Sequence, residues 1–511
     1  VTAPPRDRPF RRRLLLNTAT TGVANVWAMV VAVVSLPLLL GGLGADGFGL
    51  WVLLQTFSAL NGWLSLGDLG LATATPRFIA EAGADDDDDR RRALIRTSVT
   101  AFAALGTFWA TVLALLGPWL LPGLFDVPDD LQTAFVQAVL IVAATAAVDQ
   151  TTRGCQGCLE GLQRVDLSRW GDVVRRTVGV GGATVAALAT GSLAMTALAA
   201  FAGSLAGLAF SVVALRRVAP VNLVGIDRSA ARQLFAYGRT VAALRPIGVI
   251  HRMMDRVIVG IILGPAAVTI VEIATQVQNG AEAVLSASSY AVVPSAAHVE
   301  ARGDRHSRRD LLVTGTRYSL LATSPFVVGP ALLAAPLLAV WIGVDASGAV
   351  GPVVLALAYV AATAPLQVGS NMLVGTGRAG AVLKAAGASI VVNLALSLAL
   401  VGPLGVSGVF VATLVSGVVL IPILGREVLR VAGTSGHTFI TTALRPTAPP
   451  AAALAVVVVA VTTLPVGPLV TLVLAAGLGA PAYLAVLLHS GMGPGEVREL
   501  RAVLARPASA S

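Results

Sequence analysis

Residues 238–289 read GRTVAALRPIGVIHRMMDRVIVGIILGPAAVTIVEIATQVQNGAEAVLSASS. An apolar run meets Leu263-Gly264-Pro265 and a second apolar run follows, which predicts two helices joined by a tight turn. The hairpin carries full charges in an apolar frame: Arg245, Arg252, Asp255, Arg256, Glu272 and Glu282. At 3.6 residues per turn, Arg245, Arg252 and Arg256 stand at i, i+7 and i+11, within roughly 40° of one another. Glu272, Gln276 and Asn279, at i, i+4 and i+7, form a second polar stripe on the returning helix. Counted from the turn, Arg256 matches Glu272 in depth, and Arg245 matches Glu282. An arginine facing lipid at the bilayer centre costs about 2.5–3.5 kcal/mol, so three would cost roughly 8–10 kcal/mol. They must face protein or water. Two readings stay open: a hydrated cavity that receives an anionic headgroup, or an ion-pair network in which Asp255, Glu272 and Glu282 balance the three arginines.

The rest of the chain sets this hairpin in a membrane. Of 511 residues 56% are hydrophobic and 12% charged, with a mean hydropathy of +0.81, against about 25% charged in soluble domains. The fold expected is an all-α polytopic membrane protein. Runs long enough to cross about 30 Å of hydrocarbon number fourteen, among them 17–41, 50–72, 238–263 and 266–290. With the N-terminus inside, the inner segments, counted with the cytoplasmic ends of the helices, hold all but three of the 36 basic residues. Those three are Arg245, Arg252 and Arg256. The outer turns, near Gly44, Asp126, Gly191, Gly264, Asp345, Pro403 and Val466, hold none, as the positive-inside rule requires. Both termini are expected to be cytoplasmic, and no cleavable signal sequence is expected, because the first apolar run is too long and lacks a small-residue cleavage site.

The turn Leu43-Gly44-Ala45-Asp46-Gly47-Phe48-Gly49 is echoed by Leu263-Gly264-Pro265-Ala266-Ala267, six spans later. An even number of spans gives parallel repeats. The expected organisation is a cytoplasmic segment 1–16, a six-helix lobe over 17–217, a cytoplasmic linker 218–233, a second six-helix lobe over 234–431, an appended pair of helices within 446–488 and a cytoplasmic tail 489–511.

Several eye-catching features carry less. Asp85 to Asp89 followed by Arg90 to Arg92 is a charge run between helices, which reads as a solvated loop. Gly203 and Gly207 have the spacing of close helix approach, a weak signal in a chain with 53 glycines. Cys155 and Cys158 lack the further ligands a zinc site needs and read as small side chains in a core. Lys384, in Ala381-Val382-Leu383-Lys384-Ala385, does not follow P-loop glycines. No cofactor, metal or nucleic acid is expected, and the net charge of +9 reflects membrane topology.

Gly67-Asp68-Leu69-Gly70-Leu71 followed by Arg77-Phe78-Ile79-Ala80-Glu81, the Gly44-to-Gly49 turn before them, and Asp255-Arg256 ahead of Leu263-Gly264-Pro265 resemble the polysaccharide-transporter branch of the multidrug, oligosaccharidyl-lipid and polysaccharide exporter superfamily. Its members include O-antigen and teichoic-acid export proteins and are related to lipid II flippases and drug extruders. The resemblance implies two lobes that rock about a central cavity and move an undecaprenyl-pyrophosphate-linked oligosaccharide between leaflets of the bacterial cytoplasmic membrane. It implies a lipid-linked glycan and membrane lipid as partners, with pathway glycosyltransferases and a polymerase nearby. The candidate cavity residues are Arg245, Arg252 and Arg256 for pyrophosphate, which guanidinium binds bidentately, with Gln276, Asn279, Gln55 and Asn61 for sugar. Asp255, Glu272, Glu282 and Asp68 are the candidate coupling or gating acids. Asp68 also has a structural reading, as a cap or as a partner of Arg77. The rivals are a drug antiporter of the same fold, which calls for an acidic, more apolar cavity, and a membrane glycosyltransferase or polymerase, which calls for a large outer loop this chain lacks.

Overall fold

A computed structural model describes residues 8–242, 245–289 and 305–491, with Val292, Ser295, Ala296 and His298 between the last two blocks. The tail 492–511, the side chains of the N-terminal arginines and the side chain of Arg245 lie outside the described residues. Every regular element among the described residues is a helix, and the chain is an all-α polytopic membrane protein. The elements are α1 (Arg8–Thr56), α2 (Leu71–Ala84), α3 (Asp88–Leu124), α4 (Asp129–Gly161), α5 (Val165–Thr190), α6 (Leu193–Val218), α7 (Arg228–Ala242), α8 (Arg245–Leu263) and α9 (Pro265–Ser289). They continue with α10 (Arg305–Leu332), α11 (Ala334–Trp341), α12 (Val350–Gly375), α13 (Ala379–Leu404), α14 (Val406–Ala432), α15 (Gly436–Thr462) and α16 (Pro468–Gly491).

Nine described helices are long and apolar enough to cross a membrane, or ten if α10 and α11, bent by 79°, make one broken span. The other expected spans fall on the more polar helices α5, α8 and α9, and on a broken stretch after Thr56. The expected turns can be located directly. Left-handed backbone occurs at Gly44, Asp126, Gly191 and Gly264, and near the next two turns at Gly343 and Gly405. At Gly44 (φ 71°, ψ 176°) a residue without Cβ lets the chain reverse between two apolar runs.

Packing divides the chain into Val1–Thr269 and Ile270–Ser511, with the boundary inside α9. In the first unit α3 packs on α4, α4 on α6 and α5 on α6, with α1 along α5. Leu71, Ile79, Leu94, Phe102, Leu159, Leu215 and Leu234 share its buried core. Gly203 and Gly207 do permit close approach here: a Cβ on Gly203 would lie 2.1 Å from the Gly179 Cα, and one on Gly207 2.8 Å from the Arg175 Cβ. In the second unit α10 packs on α12, α12 on α14 and α13 on α14, the same neighbour order, around Leu312, Val368, Met372, Leu424 and Val428. The pair α15 and α16 forms a smaller core of Leu454, Val458, Ala475 and Tyr483.

The charge run is capped and paired as well as exposed. Asp87 accepts the Arg90 backbone N–H at 2.9 Å, while the Arg90 guanidinium reaches Glu81 at 2.8 Å and Asp85 at 3.3 Å. At the α4–α5 turn Arg164 donates to both carboxylate oxygens of Asp166, at 3.0 and 2.9 Å, and holds that carboxyl below its ordinary range. Cys155 and Cys158 are free thiols, fully buried in the first unit's core. Neither should react measurably with a membrane-impermeant maleimide in intact membranes, whereas both should react after denaturation. Mass spectrometry of the labelled protein checks this.

Candidate functional site

The second apolar run, expected to be continuous over 50–72, is interrupted. Its helix ends at Thr56; residues 57–62 turn, Trp63–Asp68 form a 3-10 helix, and Leu69 (φ 51°) and Gly70 (φ 82°) are left-handed before α2 resumes. Backbone polar groups inside a bilayer must find partners in protein or water. Here side chains from α3 and α4 supply them. Trp109 Nε1 donates to the Gly67 carbonyl at 3.2 Å, Gln150 Nε2 to the Leu64 carbonyl at 3.0 Å, and Arg153 Nη1 to the Ala59 carbonyl at 3.0 Å. Asp68, fully buried, accepts the Gly70 N–H at 2.8 Å, and its other oxygen lies 3.8 Å from Arg153 Nη1. Its ion-pair partner is thus Arg153 on α4. The Arg77 guanidinium lies over the rings of Tyr237 at 4.4 Å and Phe78 at 5.5 Å.

Close contacts fix how this broken span meets α7 and α8. A Cβ on Gly49 would fall 1.8 Å from the Pro265 carbonyl oxygen, one on Gly260 2.8 Å from Leu53 Cδ2, and one on Gly70 2.1 Å from the Gly238 carbonyl oxygen. Pairs 49–265, 53–260 and 70–238 describe one antiparallel line. Gln55, Asn61 and Arg252 are exposed and Arg256 is half-buried. Arg256 donates to the Arg252 carbonyl at 2.7 Å.

The predicted residues therefore fall into two sets. Gln55, Asn61, Asp68, Arg252, Asp255 and Arg256 belong to the first unit, and Arg245 begins α8 there with its side chain outside the described residues. Glu272, Gln276, Asn279 and Glu282 belong to the second. Within α9, Gln276 donates to Glu272 at 3.1 Å and Gln278 to Glu282 at 2.8 Å, while Asn279 is exposed. No group of three or more His, Cys, Asp or Glu that could hold a metal occurs among the described residues.

Sequence reasoning missed the polar spine of α4. Asp149, Arg153, Gln156 and Glu160 follow at i, i+4, i+7 and i+11, the spacing that marks the arginines of α8, so the signal was present. Arg153, Gln156 and Glu160 lie beyond the apolar run 131–150, where polar residues read as the end of a span rather than as one of its faces. Asp149 is buried against Arg175 and Ser204. Gln156 donates to Asp172 at 3.0 Å, and Glu160 accepts from Ser168 at 3.0 Å and Arg169 at 3.2 Å. This spine ties α4 to α5 on one side and to the broken span on the other.

The second unit holds an apolar cavity of about 390 Å³ between α10–α11 and α15–α16, lined by Pro325, Leu333, Leu337, Val458, Leu472 and Tyr483 among others. The Tyr483 hydroxyl is engaged, donating to the Leu321 carbonyl and meeting Ser324 at 2.9 Å.

Comparison with known proteins agrees with this architecture. The family described as polysaccharide biosynthesis protein matches residues 14–299. The lipid II flippase MurJ in an inward closed conformation superposes with a TM-score of 0.68 at 12% identity, covering 92% of this chain and 98% of that one. An inward-facing multidrug resistance transporter of the MATE family and MOP superfamily superposes with a TM-score of 0.65 at 14% identity, covering 80% of this chain and 96% of that one. An outward-facing MATE transporter gives 0.52 at 15% identity, covering 82% and 94%. No curated protein matches the chain at a significant level.

Proposed function

We propose, for a chain that belongs to the polysaccharide biosynthesis protein family, that it is an alternating-access flippase carrying an undecaprenyl-pyrophosphate-linked oligosaccharide across the bacterial cytoplasmic membrane. It acts as a transporter and not as an enzyme. The observation that carries this reading is a broken second span packed along α7 and α8 at Gly49–Pro265, Leu53–Gly260 and Gly70–Gly238, with Gln55, Asn61 and Arg252 exposed and Arg256 half-buried. Guanidinium groups match pyrophosphate oxygens in pairs, and amides offer both donors and acceptors to sugar hydroxyls. Arg245 joins the arginines as the third phosphate ligand, and in the second unit Gln276 and Asn279 are separate candidate amides for sugar hydroxyls.

In this reading the organisation is fourteen spans in two six-helix lobes, with both termini cytoplasmic, and α15 and α16 are an added pair. The apolar cavity beside that pair suits the isoprenoid tail, because its lining presents almost no polar group. Asp68, Asp255, Glu272 and Glu282 are the groups whose protonation or re-pairing couples transport to an ion gradient. Glycosyltransferases and a polymerase of the same pathway supply and consume the glycolipid.

Depletion of the protein tests the reading. Spheroplasts of depleted cells should retain lipid-linked glycan in the inner leaflet, protected from periodate added outside, and re-expression should restore oxidation. Unchanged glycan accessibility together with new drug sensitivity would reassign the protein to drug export.

A further inference from the structure

The break in the second span leaves Asn61 in a turn ahead of the 3-10 helix Trp63–Asp68, outside any α-helix. Ala59 and Asp68 bracket that stretch, and a single guanidinium reaches both: Arg153 Nη1 lies 3.0 Å from the Ala59 carbonyl and 3.8 Å from the Asp68 carboxylate. Between them Gln150, one turn away on α4, takes the Leu64 carbonyl at 3.0 Å, and Trp109 on α3 takes the Gly67 carbonyl at 3.2 Å. The distance between these elements is set by glycines. A Cβ on Gly67 would lie 2.1 Å from Trp109 Nε1, and one on Gly106 2.7 Å from the Gln150 Cβ. Asp68 in turn receives the Gly70 N–H at 2.8 Å, so the far end of the crossbar also fixes the left-handed pair that redirects the chain into α2.

We infer that Arg153 is a positioning residue of the candidate binding site: by tying Ala59 to Asp68 it fixes the broken segment and so the aim of Asn61. Arg153 need not touch the glycan. It is about one-fifth exposed and Asp68 is fully buried, so their interaction is weakly screened by water. A lysine there retains one charge and three donors, but its compact ammonium sits on a differently shaped stem, so it reproduces the Ala59 and Asp68 contacts of Arg153 Nη1 only in part. The inference deepens the functional reading above, since it gives a purpose to the amide of Asn61, and its first test is independent of transport.

In a Cys155→Ala/Cys158→Ala background, Asn61→Cys is labelled with a membrane-impermeant maleimide in the full-length protein, with and without Arg153→Gln or Arg153→Lys. The expected result is a labelling rate changed at least fivefold by Arg153→Gln and to a smaller degree by Arg153→Lys. A reference cysteine at Thr463, in the turn before α16, should be unaffected by either. The second test compares glycan export by Asn61→Ala, Arg153→Gln and the double variant at matched protein levels. The double variant should export no less than Arg153→Gln alone, because both changes remove the same aimed contact. An unchanged Asn61→Cys rate in the Arg153→Gln protein overturns the inference. So do export losses that multiply. An altered labelling rate with glycan export unaffected by every variant keeps the crossbar and removes the flippase reading instead. Should Arg153→Gln fail to accumulate, Arg153→Lys and Asp68→Asn carry the labelling comparison, with the same expected direction and the same overturning result.

Discussion

Gly70→Val should leave less than a tenth of the wild-type yield of monodisperse protein in detergent. Gly70 has φ 82°, a conformation in which a β-branched residue is a true outlier, and holding one there costs about 1–3 kcal/mol. Strain is the smaller part. The new Cβ would sit 2.1 Å from the Gly238 carbonyl oxygen and 2.7 Å from its carbonyl carbon, and backbone atoms cannot rotate away as a side chain can. Relief requires α7 to move off the end of the broken span. That movement also disturbs the Gly70 N–H to Asp68 bond, which belongs to the Arg153 crossbar. Gly70→Ala should lose yield in the same direction by a smaller factor, since its methyl group meets the same carbonyl without β-branching. Gly83→Ala is the control, because a Cβ there meets nothing within 4 Å and alanine favours the helix by about 1 kcal/mol. Size-exclusion profiles of tagged protein from equal membrane mass measure all three. A Gly70→Val protein that elutes at wild-type height would mean that the contact with Gly238 does not hold the fold.

What the amino-acid sequence makes legible depends on how each signal is written in the chain. Hydrophobic runs of span length, separated by turns with glycine or aspartate, are long-range patterns repeated many times. The reversals near Gly44, Asp126, Gly191 and Gly264 could therefore be placed, and each holds a residue of positive φ. The α8 stripe of arginines was legible because ionised groups stand out against an apolar background. The break at 57–70 was not. Residues 50–72 are apolar enough to pass for one helix, and what interrupts them is tertiary: Trp109, Gln150 and Arg153 offer hydrogen bonds that make non-helical backbone tolerable there. Glycines at 62, 67 and 70 were a hint, weakened by the glycine content of the whole chain. Asp68 illustrates the same limit. Its sequence neighbour Arg77 was the natural candidate partner, yet Arg77 stacks on Tyr237 and Phe78, and the charge near Asp68 comes from Arg153, 85 positions along the chain.

Arg256→Gln should lower glycan export ten- to about a hundredfold while the protein inserts and accumulates normally. A hydrogen bond to a charged group contributes about 1.5–3 kcal/mol, and 1.4 kcal/mol is a factor of ten. Arg256→Lys should fall between, since it keeps the charge and loses the bidentate geometry. Arg252→Gln should resemble Arg256→Gln, because the two stand one helical turn apart on α8 and Arg256 donates to the Arg252 carbonyl. The rival account, an ion-pair network whose purpose is to hold the hairpin, makes opposite demands. If Arg256 chiefly neutralises acids, its removal strands a carboxylate in a poorly solvated place, a defect worth about 3–5 kcal/mol. Accumulation would then drop with Arg256→Gln, and Asp255→Asn or Glu272→Gln in the same protein would restore it. The same acids should not rescue export if the guanidinium binds pyrophosphate, because neutralising them does not return the lost ligand. Protein level and glycan accessibility measured together in the single and double variants separate the two accounts. Normal levels with lost export assign the arginine stripe to the substrate, and lost levels rescued by acid removal assign it to the fold.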